Sequence, residues 1–288
     1  MQINTPKEIV DLNMQGAVKK ANMGLPKMIT LGILAGMFIA LGGVTSSTAV
    51  HSISNLGLAK VLGGAVFPIG LLMIVLVGGE LFTGNCLMIM ATLDKRFTVM
   101  HLIRNLLVVF LANFFGAFII DVLVFHSGNL NLSGGALGAY TIKVAVDKSN
   151  ISFVNGLASG ILCNFLVCMS IMNGTAAKDV AGKILATWFP IFVFVLDGFE
   201  HIVANMYYIP VGILAKTDSH YVALAKELYG ITEAQLEHLD FGGILQNFIP
   251  VTIGNLLGGM FIGIILYFIN IKYDKINGRN SENTSANS

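Results

Sequence analysis

Charge is scarce in this chain. Asp, Glu, Lys and Arg supply 11% of its 288 residues, whereas a soluble domain carries about 25%. That deficit excludes a water-soluble globular enzyme. The chain also lacks the short segments of alternating polar and apolar residues that a membrane β-barrel requires. Its three cysteines, Cys86, Cys163 and Cys168, stand in apolar runs with neither zinc-like nor CxxC spacing, and read as small packing side chains. No nucleotide, metal or nucleophile motif is present, so no cofactor, metal site or nucleic-acid partner is assigned. Residues 1–27 are polar and amphipathic, without the charged-then-apolar layout of a secretory leader.

What the chain has is apolar length. Hydrophobic residues make up 55% of it and the mean hydropathy is +0.77. A helical span needs about 20 such residues, and six runs qualify: 28–50, 61–91, 105–125, 152–172, 184–213 and 246–270. The expected fold class is an all-α integral membrane protein. The second and fifth runs exceed one straight crossing, which predicts tilt or interruption. Ahead of them, Thr5, Pro6 and Glu8 form the start of an amphipathic helix within 1–27, with Val10, Met14, Ala17 and Ala21 on one face. Lys19 and Lys20 are left to reach lipid headgroups. The Asn/Ser-rich tail, 273–288, is expected to be disordered.

Cationic residues orient the spans. Lys60, Lys143, Lys148, Lys216 and Lys226 fall on one side, leaving 12 of the 17 Lys and Arg on the side that holds both termini. By the positive-inside rule both termini are cytoplasmic. The loop at about 214–245 is then external. Asp121 and Arg104 fall near opposite ends of span three and read as interfacial.

The two halves, about 28–125 and 152–270, repeat one another. Spans one and four open with Gly32-xxx-Gly36 and Gly156-xxx-Gly160. Spans two and five each carry a proline, a glycine, a glutamate and an asparagine: Pro68, Gly79, Glu80, Asn85 and Pro190, Gly198, Glu200, Asn205. Spans three and six share Asn113-Phe-Phe-Gly116 and Asn255-Leu-Leu-Gly258. Three spans per half force the second half to be inverted. Matching breaks in two inverted halves mark a transport site at the midplane. Ionisable groups persist there mainly when they face a cavity or one another. Two half-helix N-termini pointing at the centre, with Thr83 and His201 beside them, favour a small anion. Glu80 and Glu200 read as structural groups that fix the loops by accepting backbone N–H bonds.

The segments Gly79-Glu80-Leu81-Phe82-Thr83, Phe199-Glu200-His201-Ile202-Val203-Ala204-Asn205 and Gly254-Asn255-Leu256-Leu257-Gly258-Gly259 resemble the signatures of the formate/nitrite transporter family, in the same order, over about residues 5–272. The resemblance implies an aquaporin-like six-helix bundle, a homopentamer with one pore per protomer, and passage of formate, nitrite or hydrosulfide across a bacterial cytoplasmic membrane. General likeness points to the hydrosulfide branch. By motif the resemblance makes His201 the central pore histidine, supplying a hydrogen bond or a proton, with water relayed through the vestibule as the other proton source, and makes Thr83 its partner. Lys148 falls in the outer vestibule and Asn164 near the pore. Phe67, Leu71, Phe82 and Phe194 match the apolar constrictions, and Asn85 and Asn205 the loop-structuring asparagines. Two competing readings are weaker. A water or neutral-solute channel of aquaporin type would place Asn-Pro-Ala at both breaks, and neither has it. A membrane enzyme using His201 with Glu200 would lack any accompanying motif.

Overall fold

The computed structural model describes residues 3–273. Apart from Tyr273, the expected tail lies outside the described residues. The chain begins with α1 (Pro6–Ala21), where Thr5 caps the helix and forms a capping box with Glu8. Span one is α2 (Leu25–Val50). Span two is built from α3 (Leu56–Val66) and α4 (Ile69–Val77), joined at Pro68. After a break come the short α5 (Phe82–Asn85), a 3-10 turn and α6 (Ile89–Leu93). Span three is α7 (Val99–His126).

The second half follows the same order. A 3-10 segment (Asn129–Gly135) and α8 (Ala136–Ser149) lead into span four, α9 (Phe153–Ala176). Span five is α10 (Val180–Asp197), then a break, then α11 (Ile202–Ala215). Two short helices, α12 (Ser219–Tyr229) and α13 (Glu233–Glu237), precede span six, α14 (Phe241–Tyr267). Six helical segments are long and apolar enough to cross a membrane, so this is a multi-pass membrane protein.

The breaks have a backbone cause. Gly78 ends α4 at φ 107° and Gly198 ends α10 at φ 77°, conformations that a Cβ disfavours. Each is followed by three non-helical residues, the last of them extended, before a new helix starts. Non-helical backbone at membrane depth persists only where protein covers it, and here polar side chains from α7 and α14 do so. Those helices are held close: α2 packs on α7, and α9 on α14. A Cβ on Gly116 would overlap the Ile33 carbonyl, and one on Gly258 would overlap the Ile161 carbonyl.

Several expectations change. Residues 126–152 and 214–245 contain helices α8, α12 and α13 rather than plain loops. Helix α1 docks on the bundle, with Val10, Met14, Ala17 and Ala21 buried. It is also tied by Asn4 to Thr175 and Ala176 and by Asp11 to Arg96. Lys20 turns inward instead of toward headgroups, because two buried acceptors lie within its reach. Asp121 is fully buried rather than interfacial. Arg104 does lie near an end of its span, donating to the Met23 carbonyl at 3.1 Å.

Candidate functional site

The two breaks are built by one repeated circuit. In the first half, Asn113 accepts from Phe82 N at 2.9 Å and donates to the Gly32 and Glu80 carbonyls at 2.8 and 2.9 Å. In the second, Asn255 accepts from Ile202 N at 2.9 Å and donates to the Gly160 and Glu200 carbonyls at 2.8 and 3.0 Å. Each amide therefore takes the first N–H of a half-helix and ties down the extended residues before it. All these atoms are buried, where an unpaired polar group costs about 1–3 kcal/mol.

A second repeated circuit flanks the first. Asn85 donates to Glu80 Oε2 at 2.7 Å and Asn105 Oδ1 at 2.7 Å. Asn205 donates to Glu200 Oε2 at 2.6 Å and Asn247 Oδ1 at 2.8 Å. Each glutamate also holds a lysine: Lys20 at 3.2 Å from Glu80, Lys148 at 2.9 Å from Glu200. The glutamates thus fix their loops through asparagine and lysine side chains, not through the backbone N–H groups expected from sequence. Lys148, on the last turn of α8, is paired with Glu200 and lies 5.3 Å over the Tyr208 ring. Asn105 and Asn247 carry no signal in the sequence, and Lys20 reads there only as a headgroup lysine.

At the centre the breaks meet. Thr83 Oγ1 lies 2.9 Å from His201 Nε2, and both side chains are buried. His201 is also the N-cap of α11, its Nδ1 accepting from Ala204 N at 3.1 Å. An accepting Nδ1 carries no proton, so the neutral ring bears its hydrogen on Nε2 and donates it to Thr83. The Thr83 oxygen accepts that bond, leaving its own hydrogen free for another acceptor.

Cavities approach this link from two sides. One of about 250 Å³ reaches His201 past Phe67 and Phe194 and is also lined by Lys60, Lys143 and Lys148. Phe67 and Phe194 meet edge-to-face at 5.7 Å, and Phe194 stacks on His201 at 5.7 Å. The opposite cavities, about 170 and 150 Å³, are lined by Lys20, Gly84 and Asn85, the larger also by Leu71 and Leu81. Two expected residues line none of these cavities. Phe82 lines neither side and packs edge-on against Phe110 at 5.0 Å. Asn164 is fully buried behind the break, donating to the Thr83 carbonyl at 3.2 Å and the Asn255 carbonyl at 2.6 Å.

Six spans in two inverted halves, with broken helices meeting between opposed cavities, define a membrane protein of the small-solute channel or transporter class. The chain belongs to the formate/nitrite transporter family, whose model matches residues 7–269. It is 36% identical to the uncharacterized transporter YrhG of Bacillus subtilis (strain 168), covering 96% of this chain and 97% of that one. It is 35% identical to the formate channel BtFdhC of Bacillus thuringiensis, covering 93% and 96%. Among solved structures, a pentameric formate channel with formate bound superposes with a TM-score of 0.75 at 31% identity, over 87% of this chain and 98% of that one.

Proposed function

We propose that this protein is a channel for small monovalent anions, with formate as its principal substrate. It would work as a homopentamer in the cytoplasmic membrane of a bacterium, with both termini cytoplasmic. The observation that carries the reading is the Thr83–His201 link, two polar groups facing each other between apolar walls at the meeting of two half-helices. Formate is favoured over hydrosulfide because the relatives above that are named for a substrate are formate channels. The pentamer rests on the resemblance and on the pentameric assembly of one such relative. The orientation rests on the lysine and arginine distribution.

The chemistry follows from the tautomer. An arriving carboxylate replaces the internal link, accepting from His201 Nε2–H and from the freed Thr83 O–H. Giving up the proton of a neutral ring would leave an imidazolate. A proton entering at Nδ1 would displace the Ala204 N–H. His201 therefore serves as a fixed hydrogen-bond donor, and a proton that neutralises the anion is a bulk-solvent proton, delivered as hydronium through the vestibule water so that only water is left behind. Neutralisation removes the cost of carrying charge past Phe67 and Phe194. Chloride, which accepts no proton near neutral pH, is rejected.

Flux in proteoliposomes, with formate, nitrite, hydrosulfide and chloride compared in wild type and His201→Asn, tests this. Formate flux without chloride flux, altered in the variant, is the expected result. Water permeation alone, or a variant identical for every anion, overturns the reading.

A further inference from the structure

The cavity in front of Phe67 and Phe194 contains three lysines with unequal surroundings. Lys148 is held by Glu200 at 2.9 Å and Lys143 by Asp147 at 2.7 Å. Lys60, on the second turn of α3, has no carboxylate within 4.0 Å among the described residues, and it is exposed. Its ammonium lies 3.9 Å from where a Cβ on Gly198 would stand. That position is the C-terminal end of α10, whose last carbonyls bear partial negative charge and attract a cation. Asp197, the neighbouring acid, is exposed and does not line the cavity. The other titratable groups facing the cavity, Tyr140, Tyr208 and His201, carry no formal charge in their neutral forms. The opposite cavities have one charged lining residue, Lys20, and it is paired with Glu80.

We propose that Lys60 is the uncompensated cation that draws anions into this vestibule and sets how readily they enter from this face. The inference rests on the anion-channel reading above and gives the concentrating role to Lys60 rather than to Lys148, whose charge is met by Glu200. A positive charge at the mouth of a low-dielectric funnel raises the local anion concentration, and salt screens the effect. It leaves the central barrier untouched, so it acts on half-saturation rather than on maximal flux. Because the opposite cavities have no unpaired cation in their lining among the described residues, entry at low ionic strength is faster from the Lys60 face.

The test uses the full chain in phosphatidylcholine proteoliposomes with formate as probe, comparing wild type with Lys60→Gln, Lys60→Glu and Lys60→Arg. At about 10 mM ionic strength, where screening extends over about 30 Å, Lys60→Gln should raise the half-saturating formate concentration about two- to threefold with maximal flux unchanged. Lys60→Glu should raise it further, and Lys60→Arg should match wild type. At about 0.5 M salt all four should converge. Half-saturation unchanged in both Gln and Glu variants at low salt overturns the proposal, as does a loss of maximal flux that persists at high salt. A wild type that conducts no formate overturns the channel reading itself, and that outcome is visible before any variant is measured.

Discussion

The two mirrored ion pairs allow one interaction to be measured twice in the same molecule. Lys148 and Glu200 lie 2.9 Å apart with side chains 16% and 9% exposed; Lys20 and Glu80 lie 3.2 Å apart with side chains 32% and 5% exposed. At 2.9 Å two unit charges attract by about 6 kcal/mol at an effective dielectric of about 20 and by about 1.4 kcal/mol in water. Desolvation cancels much of that, yet removing one partner of a buried pair costs about 3–5 kcal/mol because the other charge is stranded. Glu200 would keep two donors, Asn205 and Asn247. Lys148→Met should therefore cost about 2–4 kcal/mol. The double variant Lys148→Met/Glu200→Gln should cost less than the sum of the singles by about 2–3 kcal/mol. Lys20 is a third exposed, so the Lys20–Glu80 coupling should be nearer 1 kcal/mol. The assay is a double-mutant cycle on each pair, read from unfolding midpoints of purified protein in detergent. Additive singles at Lys148 and Glu200, or an equal or larger coupling at Lys20–Glu80, would refute the claim that burial sets the strength of these clamps.

Two further outcomes follow from packing. Gly116→Ala or Gly258→Ala should abolish stable assembly, because the added methyl overlaps a backbone carbonyl of the facing helix; size-exclusion chromatography of wild-type-like protein would contradict this. Asp121→Asn should leave the thermal midpoint unchanged or raised, since both carboxyl oxygens of this buried side chain have no hydrogen-bond partner among the described residues. A midpoint lowered by more than a few degrees would mean that the carboxyl holds a group the structure does not show.

The spans and breaks were legible because their signals are local. Apolar length gave the six crossings, and Gly198 beside Glu200 within an apolar run marked an interruption that the left-handed φ of Gly198 explains. Helix α8 escaped because its 14 residues are too short and too mixed to register as a span: its buried Leu137, Ile142 and Val146 are interleaved with Gly138, Thr141 and Ser149 and with the charged Lys143, Asp147 and Lys148. Lys20 was misassigned for a different reason. Its partners, Glu80 and Asn85, lie more than 50 residues away, and α1 falls outside the repeated unit, so neither periodicity nor repeat pointed to it. The same holds for Asn105 and Asn247, whose pairing with Asn85 and Asn205 exists only once α7 and α14 have packed.

The repeat is most informative where it fails. Glu80 and Asn85 correspond to Glu200 and Asn205, and this register places Leu81 opposite His201 and Thr83 opposite Val203. Leu81 and His201 hold the same structural post, the N-cap of the helix after the break. Only His201 uses its side chain to cap, while Leu81 turns an apolar side chain to the opposite cavity. The asparagine amides and the lysine–glutamate pairs, present in both halves, solve a problem common to both: exposed backbone at membrane depth. The Thr83 hydroxyl and the Nε2 side of His201 solve nothing of that kind, since the first N–H of each half-helix is satisfied by Asn113 or Asn255 and the cap on Ala204 N uses only Nδ1. A site where two copies of one scaffold carry different side chains at equivalent positions is under a demand that the scaffold does not make. Here that demand falls on a hydroxyl and an imidazole 2.9 Å apart, and under the proposed channel reading a passing anion is the ligand that such a pair of donors fits.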